Sequence, residues 1–163
     1  MRDIFRIRPP LTHHKIQEIV FYFLPQKRTK VLKRAKMNFK TNKEKGNSGL
    51  AMSIAYFTTN GYTVSIPLND TQDYDLIIEK SNVLSTVQVK TSGCISKSKN
   101  YQVVLKSCGG TKGKTYKTLI DTDIDYLFIL LENKDIYLIP KDIIKNKTTI
   151  NICDKYKKFK VEI

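Results

Sequence analysis

The stretch YDLIIEKSNVLSTVQVK, from Tyr74 to Lys90, decides the fold. Leu76, Ile77 and Ile78 form one short apolar run, and Glu79 to Asn82 read as a turn. Val83 to Lys90 form a second run rich in β-branched residues, so the pattern predicts a hairpin of two strands. Side chains alternate along a strand, which places Val87 and Val89 on one face and Gln88 and Lys90 on the other. Asp75 opens the first strand. An aspartate beside a strand carrying a polar-x-Lys pair brings a carboxylate, an amide and an ammonium toward one point. Oxygen ligands there suit a hard divalent cation, and the ammonium suits a water or phosphate oxygen. On spacing alone, the simpler account is a turn aspartate, an edge glutamine and a solvated strand-end lysine.

The segments on either side carry more. Before the hairpin runs KGNSGLAMSIAYFTTNGYTVSIPLNDTQDYDLII, Lys45 to Ile78, and the second strand continues as VLSTVQVKTS, Val83 to Ser92. This order of Gly-rich entry, helix ending in Gly-Tyr, strand ending in Ile-Pro, acidic loop, Tyr-Asp-Leu and Gln-Val-Lys-Thr resembles the PD-(D/E)XK nuclease superfamily. The likeness is to the branch of group I intron-associated homing endonucleases related to Holliday-junction resolvases. It extends loosely through Asp125 to Phe128 and Tyr137 to Pro140, and does not cover residues 1–36.

The resemblance implies a restriction-endonuclease-like α/β core with a small mixed β-sheet flanked by one main helix, the site lying at the sheet's edge. It also implies a Mg²⁺-dependent DNA endonuclease, with Mn²⁺ as a substitute. Asp75 matches the family's metal-binding aspartate, Gln88 fills the (D/E) slot and Lys90 is the motif lysine. Asp75, Gln88 and the Val89 carbonyl would bind the metal, while Lys90 would orient water and offset transition-state charge. Two departures matter. Gln88 is a neutral amide, and Leu50 stands at the first-helix position where many relatives carry glutamate. Glu44, upstream, is a poor substitute. These departures keep a non-catalytic nucleic-acid-binding module open as an alternative, alongside a structure-selective junction resolvase. The implied partner is double-stranded or branched DNA, and cutting both strands implies a dimer or larger homo-oligomer.

Charge agrees with an anionic partner. The 163 residues carry a net charge of +14, with a pI near 9.7. Residues 1–36 hold ten lysines and arginines against two acids, including all five arginines, while residues 37–163 hold nineteen lysines against thirteen acids. Residues 1–36 therefore read as a basic N-terminal extension, and residues 37–163 as the nuclease-like domain. Arg8-Pro9-Pro10 breaks the extension, Leu11 to Leu24 suits a short helix and Pro25 stops it. The extension is either a DNA-contacting arm or, more simply, a segment without fixed structure. Its run IVFYFL is far too short to span a membrane.

Between Glu79 and Asp121 lie eight lysines and no acid: Lys80, Lys90, Lys97, Lys99, Lys106, Lys112, Lys114 and Lys117. With Tyr101 and Tyr116 interleaved, this stretch suits a phosphate backbone, and it equally suits a solvated loop region. Lys97, Lys99, Lys106, Lys112, Lys114 and Lys117 are the candidate nucleic-acid contacts. The CGGTKGK loop lacks the Gly-Lys-Ser/Thr ending of a P-loop. Asp121, Asp123 and Asp125 lack the glycine and distant glutamate of an EF-hand and read as strand-entry acids.

A helix is expected from Ser48 to Asn60 on Leu50, Ile54 and Phe57, with Gly61 as its stop. Strands are expected at Tyr62 to Leu68, Tyr101 to Lys106, Tyr126 to Leu131 and Ile136 to Ile139, and one helical turn at Lys141 to Asn146. The lysine-rich C-terminus reads as half-ordered. Three cysteines (Cys94, Cys108 and Cys153) without a C-x-x-C point to reduced thiols and a cytoplasmic protein.

Overall fold

Helix α1, Asn42–Thr59, begins six residues before the expected start. Thr41 caps it: its hydroxyl accepts from the Glu44 amide at 3.1 Å, and the Glu44 carboxylate reaches back past the cap to accept from the Lys40 amide at 2.8 Å. These bonds satisfy donors that a helix start leaves open, so a polar, glycine-containing segment is helical. Gly61, at φ +76°, ends the helix as expected. The computed structural model describes residues 36–69, 71–108, 116–118, 122–144 and 147–163.

Six strands form the main sheet: β1 (Thr63–Ser65), β2 (Leu76–Lys80), β3 (Val83–Ser92), β7 (Tyr126–Leu131), β8 (Ile136–Pro140) and β10 (Lys160–Val161), side by side in that order. All neighbours are antiparallel except β3 and β7, which run parallel from Val87↔Tyr126 to Ser92↔Leu131. Two small ribbons accompany it, β4 (Tyr101–Val104) with β9 (Thr149–Ile152), and β5 (Lys106–Cys108) with β6 (Tyr116–Thr118). Helix α2 (Lys141–Ile144) follows β8, and a 3₁₀ helix spans Asp154–Phe159.

The β2–β3 hairpin closes through Ser81 and Asn82, both at positive φ (54° and 64°), with Lys80 paired to Val83. This is the two-residue geometry that matches strand twist. Its first strand runs on through Glu79 and Lys80, two residues into the expected turn. Strand β7 is buried on both faces. Leu127, Ile129 and Leu131 join Val103, Leu105, Ile150 and Tyr156 in one core, while Phe128 and Leu130 join Phe57, Leu76 and Val87 in the other. Helix α1 covers the second core, its Phe57 ring 5.9 Å from that of Phe128.

The structure corrects two further expectations. The C-terminus is built into the fold: Tyr156 is 1% exposed in the first core, and β10 closes one edge of the main sheet. Lysines there line the outside of a segment anchored by one buried aromatic. The candidate site strand β3 is third of six rather than an edge strand, because β7 pairs with it across a long connection. The extension read over residues 1–36 lies outside the described residues except for Lys36, which pairs with Glu132 at 3.4 Å.

Candidate active site

Strand β2 begins at Leu76, opposite Val87, and beyond that pair the two strands part. Backbone groups of β3 past this point need other partners. Asp75 provides one. Its own amide donates to the Val87 carbonyl at 2.9 Å, and its carboxylate oxygen Oδ2 accepts from the Val89 amide at 2.6 Å. The same oxygen accepts from the Gln88 side-chain amide. That amide nitrogen also lies 3.5 Å from the Val89 carbonyl oxygen. Thus Asp75 Oδ2 and the Val89 carbonyl converge on one NH₂ group, in a site where Gln88 is buried.

Burial holds the Asp75 carboxyl above its usual range, and three influences oppose it: the Val89 amide, the Lys90 ammonium and the Gln88 amide. Desolvation therefore outweighs all three. Lys90 sits two residues past Gln88 on the same strand and lines a cleft of about 490 Å³ with Asp75, Val89 and Thr91. The opposite wall is the N-terminal half of α1: Asn42, Lys45, Gly46, Asn47 and Leu50.

Helix and strand approach closely at Gly49, where a Cβ would fall 2.2 Å from Thr91 Oγ1 and 3.1 Å from Val89 Cγ1. Real side chains do not tolerate that separation, so glycine sets the width of the cleft. Among the described residues, the buried Thr91 hydroxyl has no hydrogen-bond partner.

The structure thus brings Asp75, Gln88, Val89 and Lys90 together. Leu50 lies on the cleft wall as an apolar side chain, and Glu44 is committed to the helix cap. Among the described residues, no group of three His, Cys, Asp or Glu side chains gathers in one place. Of the candidate nucleic-acid contacts, Lys97, Lys99 and Lys106 are absent from the cleft walls. Lys112 and Lys114 lie outside the described residues, as does the side chain of Lys117. Asp125 accepts from the Thr86 amide at 2.7 Å and ties β3 to the start of β7, in keeping with a strand-entry acid. Lys45 was missed from sequence; its signal, a lysine beside the Gly-rich entry, gains meaning only once α1 packs on β3.

The model of the PD-(D/E)XK endonuclease family matches residues 40–161. The chain belongs to that family. PD-(D/E)XK endonucleases are nucleases, and this chain carries their fold. It is similar to Protein 5.3 of Escherichia phage T7, 32% identical over 113 residues that make up 68% of this chain and 90% of that protein. Among solved structures it is similar to the bacterial homing endonuclease I-Ssp6803I. The TM-score is 0.61 at 26% identity, over 72% of this chain and 82% of that one. The PD-(D/E)XK expectation, the mixed α/β core and the single main helix thus stand. No helix among the described residues is long and apolar enough to cross a membrane.

Proposed function

We propose that the protein is a divalent-metal-dependent DNA endonuclease that hydrolyses phosphodiester bonds at the Asp75–Gln88–Lys90 cleft. The observation that carries this reading is the convergence of Asp75 Oδ2 and the Val89 carbonyl on the Gln88 amide, with Lys90 on the adjoining wall. The donor set fits a hard ion such as Mg²⁺ or Mn²⁺: one carboxylate, one backbone carbonyl and one side-chain amide whose oxygen takes the place of its nitrogen when the group turns over. When bound, such an ion supplies Lewis-acid activation of water and neutralises charge on the phosphate. Asp75, Gln88 and the Val89 carbonyl would hold it. Lys90 orients the attacking water and offsets charge that develops on the phosphoryl oxygens. The half-buried setting of Asp75 strengthens each of these electrostatic contacts.

Lysines 97, 99, 106, 112, 114 and 117 supply further contacts to the phosphate backbone of double-stranded or branched DNA, and a homo-oligomer places two such clefts on opposite strands. Leu50 on the cleft wall and the neutral Gln88 favour a second reading, a nuclease fold that binds DNA without cutting it.

The test is incubation of supercoiled plasmid and four-way-junction DNA with Mg²⁺, Mn²⁺ or chelator. Cleavage that requires the ion is expected. In Lys90→Ala, binding persists while the rate falls by about 10²–10³. Binding without any cleavage of either substrate supports the second reading, and preference for the junction identifies a resolvase. Cleavage that survives in Lys90→Ala refutes the site.

A further inference from the structure

Gly46 lies in the second turn of α1, exposed, and a Cβ built on it meets nothing within 4 Å among the described residues. The other described glycines of this region have structural reasons: Gly49 abuts β3, and Gly61 adopts a positive φ. Gly46 has neither. Glycine is the weakest helix former after proline, so the helix carries a cost here with no internal return.

Gly46 nevertheless forms part of the cleft wall, between Lys45 and Asn47, in a cleft that Asp75 and Lys90 also line. Asn42 lies one turn back on the same helix face as Lys45 and Gly46, at the i, i+3 and i, i+4 spacings. Lys45 is half-buried, and no ion pair engages it among the described residues. The helix end itself is capped by the Thr41 hydroxyl, with the Glu44 carboxylate turned back to the Lys40 amide. The surface open to the cleft is therefore the flank of the second turn, a bare piece of helix backbone with a cation on one side and an amide on the other.

We infer that this flank seats the sugar–phosphate backbone of the DNA strand that enters the cleft. Gly46 leaves room for the strand to lie against the helix, Lys45 pairs with a phosphate, and the Asn42 and Asn47 amides donate to phosphate oxygens. The inference rests on the nuclease reading and adds the surface that positions the strand beside Lys90.

Two variants test it, Gly46→Gln and Lys45→Ala, each compared with wild type by thermal melting and by salt titration of binding to a short DNA duplex in chelator. Gly46→Gln is expected to melt higher by about 2–4 °C, because a strong helix former replaces glycine in open space. It is also expected to bind DNA roughly tenfold more weakly. Lys45→Ala is expected to melt as wild type, with a salt slope lower by about one phosphate contact. A Gly46→Gln protein that melts lower, or that melts higher and binds as well as wild type, overturns the inference. An unchanged slope in Lys45→Ala does the same. If the variants bind normally while wild type cleaves with Mg²⁺, the strand seat falls and the nuclease reading stands. If the variants lose affinity while wild type never cleaves, the seat stands and the nuclease reading falls.

Discussion

Replacing Asp75 with asparagine is expected to make the protein more stable and catalytically inert. Both hydrogen bonds from the Val89 amide and the Gln88 amide end on the same carboxylate oxygen, Oδ2. An asparagine whose Oδ1 takes that position keeps both, so the substitution removes little besides charge. The charge is unfavourable on balance, since burial lifts the Asp75 carboxyl despite the two amides and Lys90. A group whose folded pKa lies above its unfolded value adds stability when protonated, and loses that contribution as pH rises through the folded pKa. Wild type and Asp75→Asn should therefore melt together in acid. The variant should pull ahead as pH climbs through the raised pKa and hold its lead at neutral pH. Relief of an active-site penalty commonly adds about 0.5–2 kcal/mol. For a chain of this length each 1 kcal/mol moves the midpoint by about 2–4 °C. The assay is a series of thermal melts from acid to neutral pH in chelator, paired with plasmid cleavage in Mg²⁺. A variant that melts below wild type at neutral pH would refute the reasoning, because it would mean that ionised Asp75 holds the fold together.

Gln88→Glu places a second carboxylate against Asp75. In chelator it should melt lower than wild type, and Mg²⁺ should raise its midpoint more than it raises that of wild type; equal shifts would remove Gln88 from the ligand set. Gly49→Ala drives a methyl into Thr91 Oγ1 and should cost about 1–3 kcal/mol, with Thr91→Ala in the same chain restoring most of it; melts of the four-member mutant cycle measure the coupling. Ser81→Asn puts a residue more tolerant of positive φ at the first turn position of the hairpin. It should raise stability by a few tenths of a kcal/mol to about 1 kcal/mol, read by denaturant titration, and a loss would contradict the turn geometry.

The hairpin was legible because its determinants are local. Period-2 alternation set the faces of Gln88 and Lys90, and a two-residue turn then placed Asp75 opposite Gln88. Strand β7 was legible for a related reason, since a run of six apolar residues buried on both faces needs no partner to be identified. The early start of α1 was written in Thr41-Asn-Lys-Glu44, but the polar character of Thr41 to Ser48 outweighed that signal in a reading by apolar period. The C-terminus misled because its lysines are many and its anchors, buried Tyr156 and half-buried Phe159, are few. These reach a core built from residues about 50 positions earlier, such as Val103. Of the helix wall of the cleft only Leu50 was legible, and that through the family resemblance. Lys45 and Gly46 share the cleft with Asp75 only through the close contact of Gly49 with β3, which no local pattern encodes.

The parallel pairing of β3 with β7 also has a consequence during synthesis. Thr86 and its β7-side partner Asp125 are 39 residues apart. At about 5–20 residues per second, β3 emerges from the ribosome some 2–8 s before the strand that will cover its far side. Through that interval the β2–β3 hairpin presents an open edge rich in valine, the kind of template onto which other nascent chains add. Lys90 stands on that edge. Charged residues on an exposed strand discourage such pairing, and a lysine at this position suits that need whatever its task in the finished cleft.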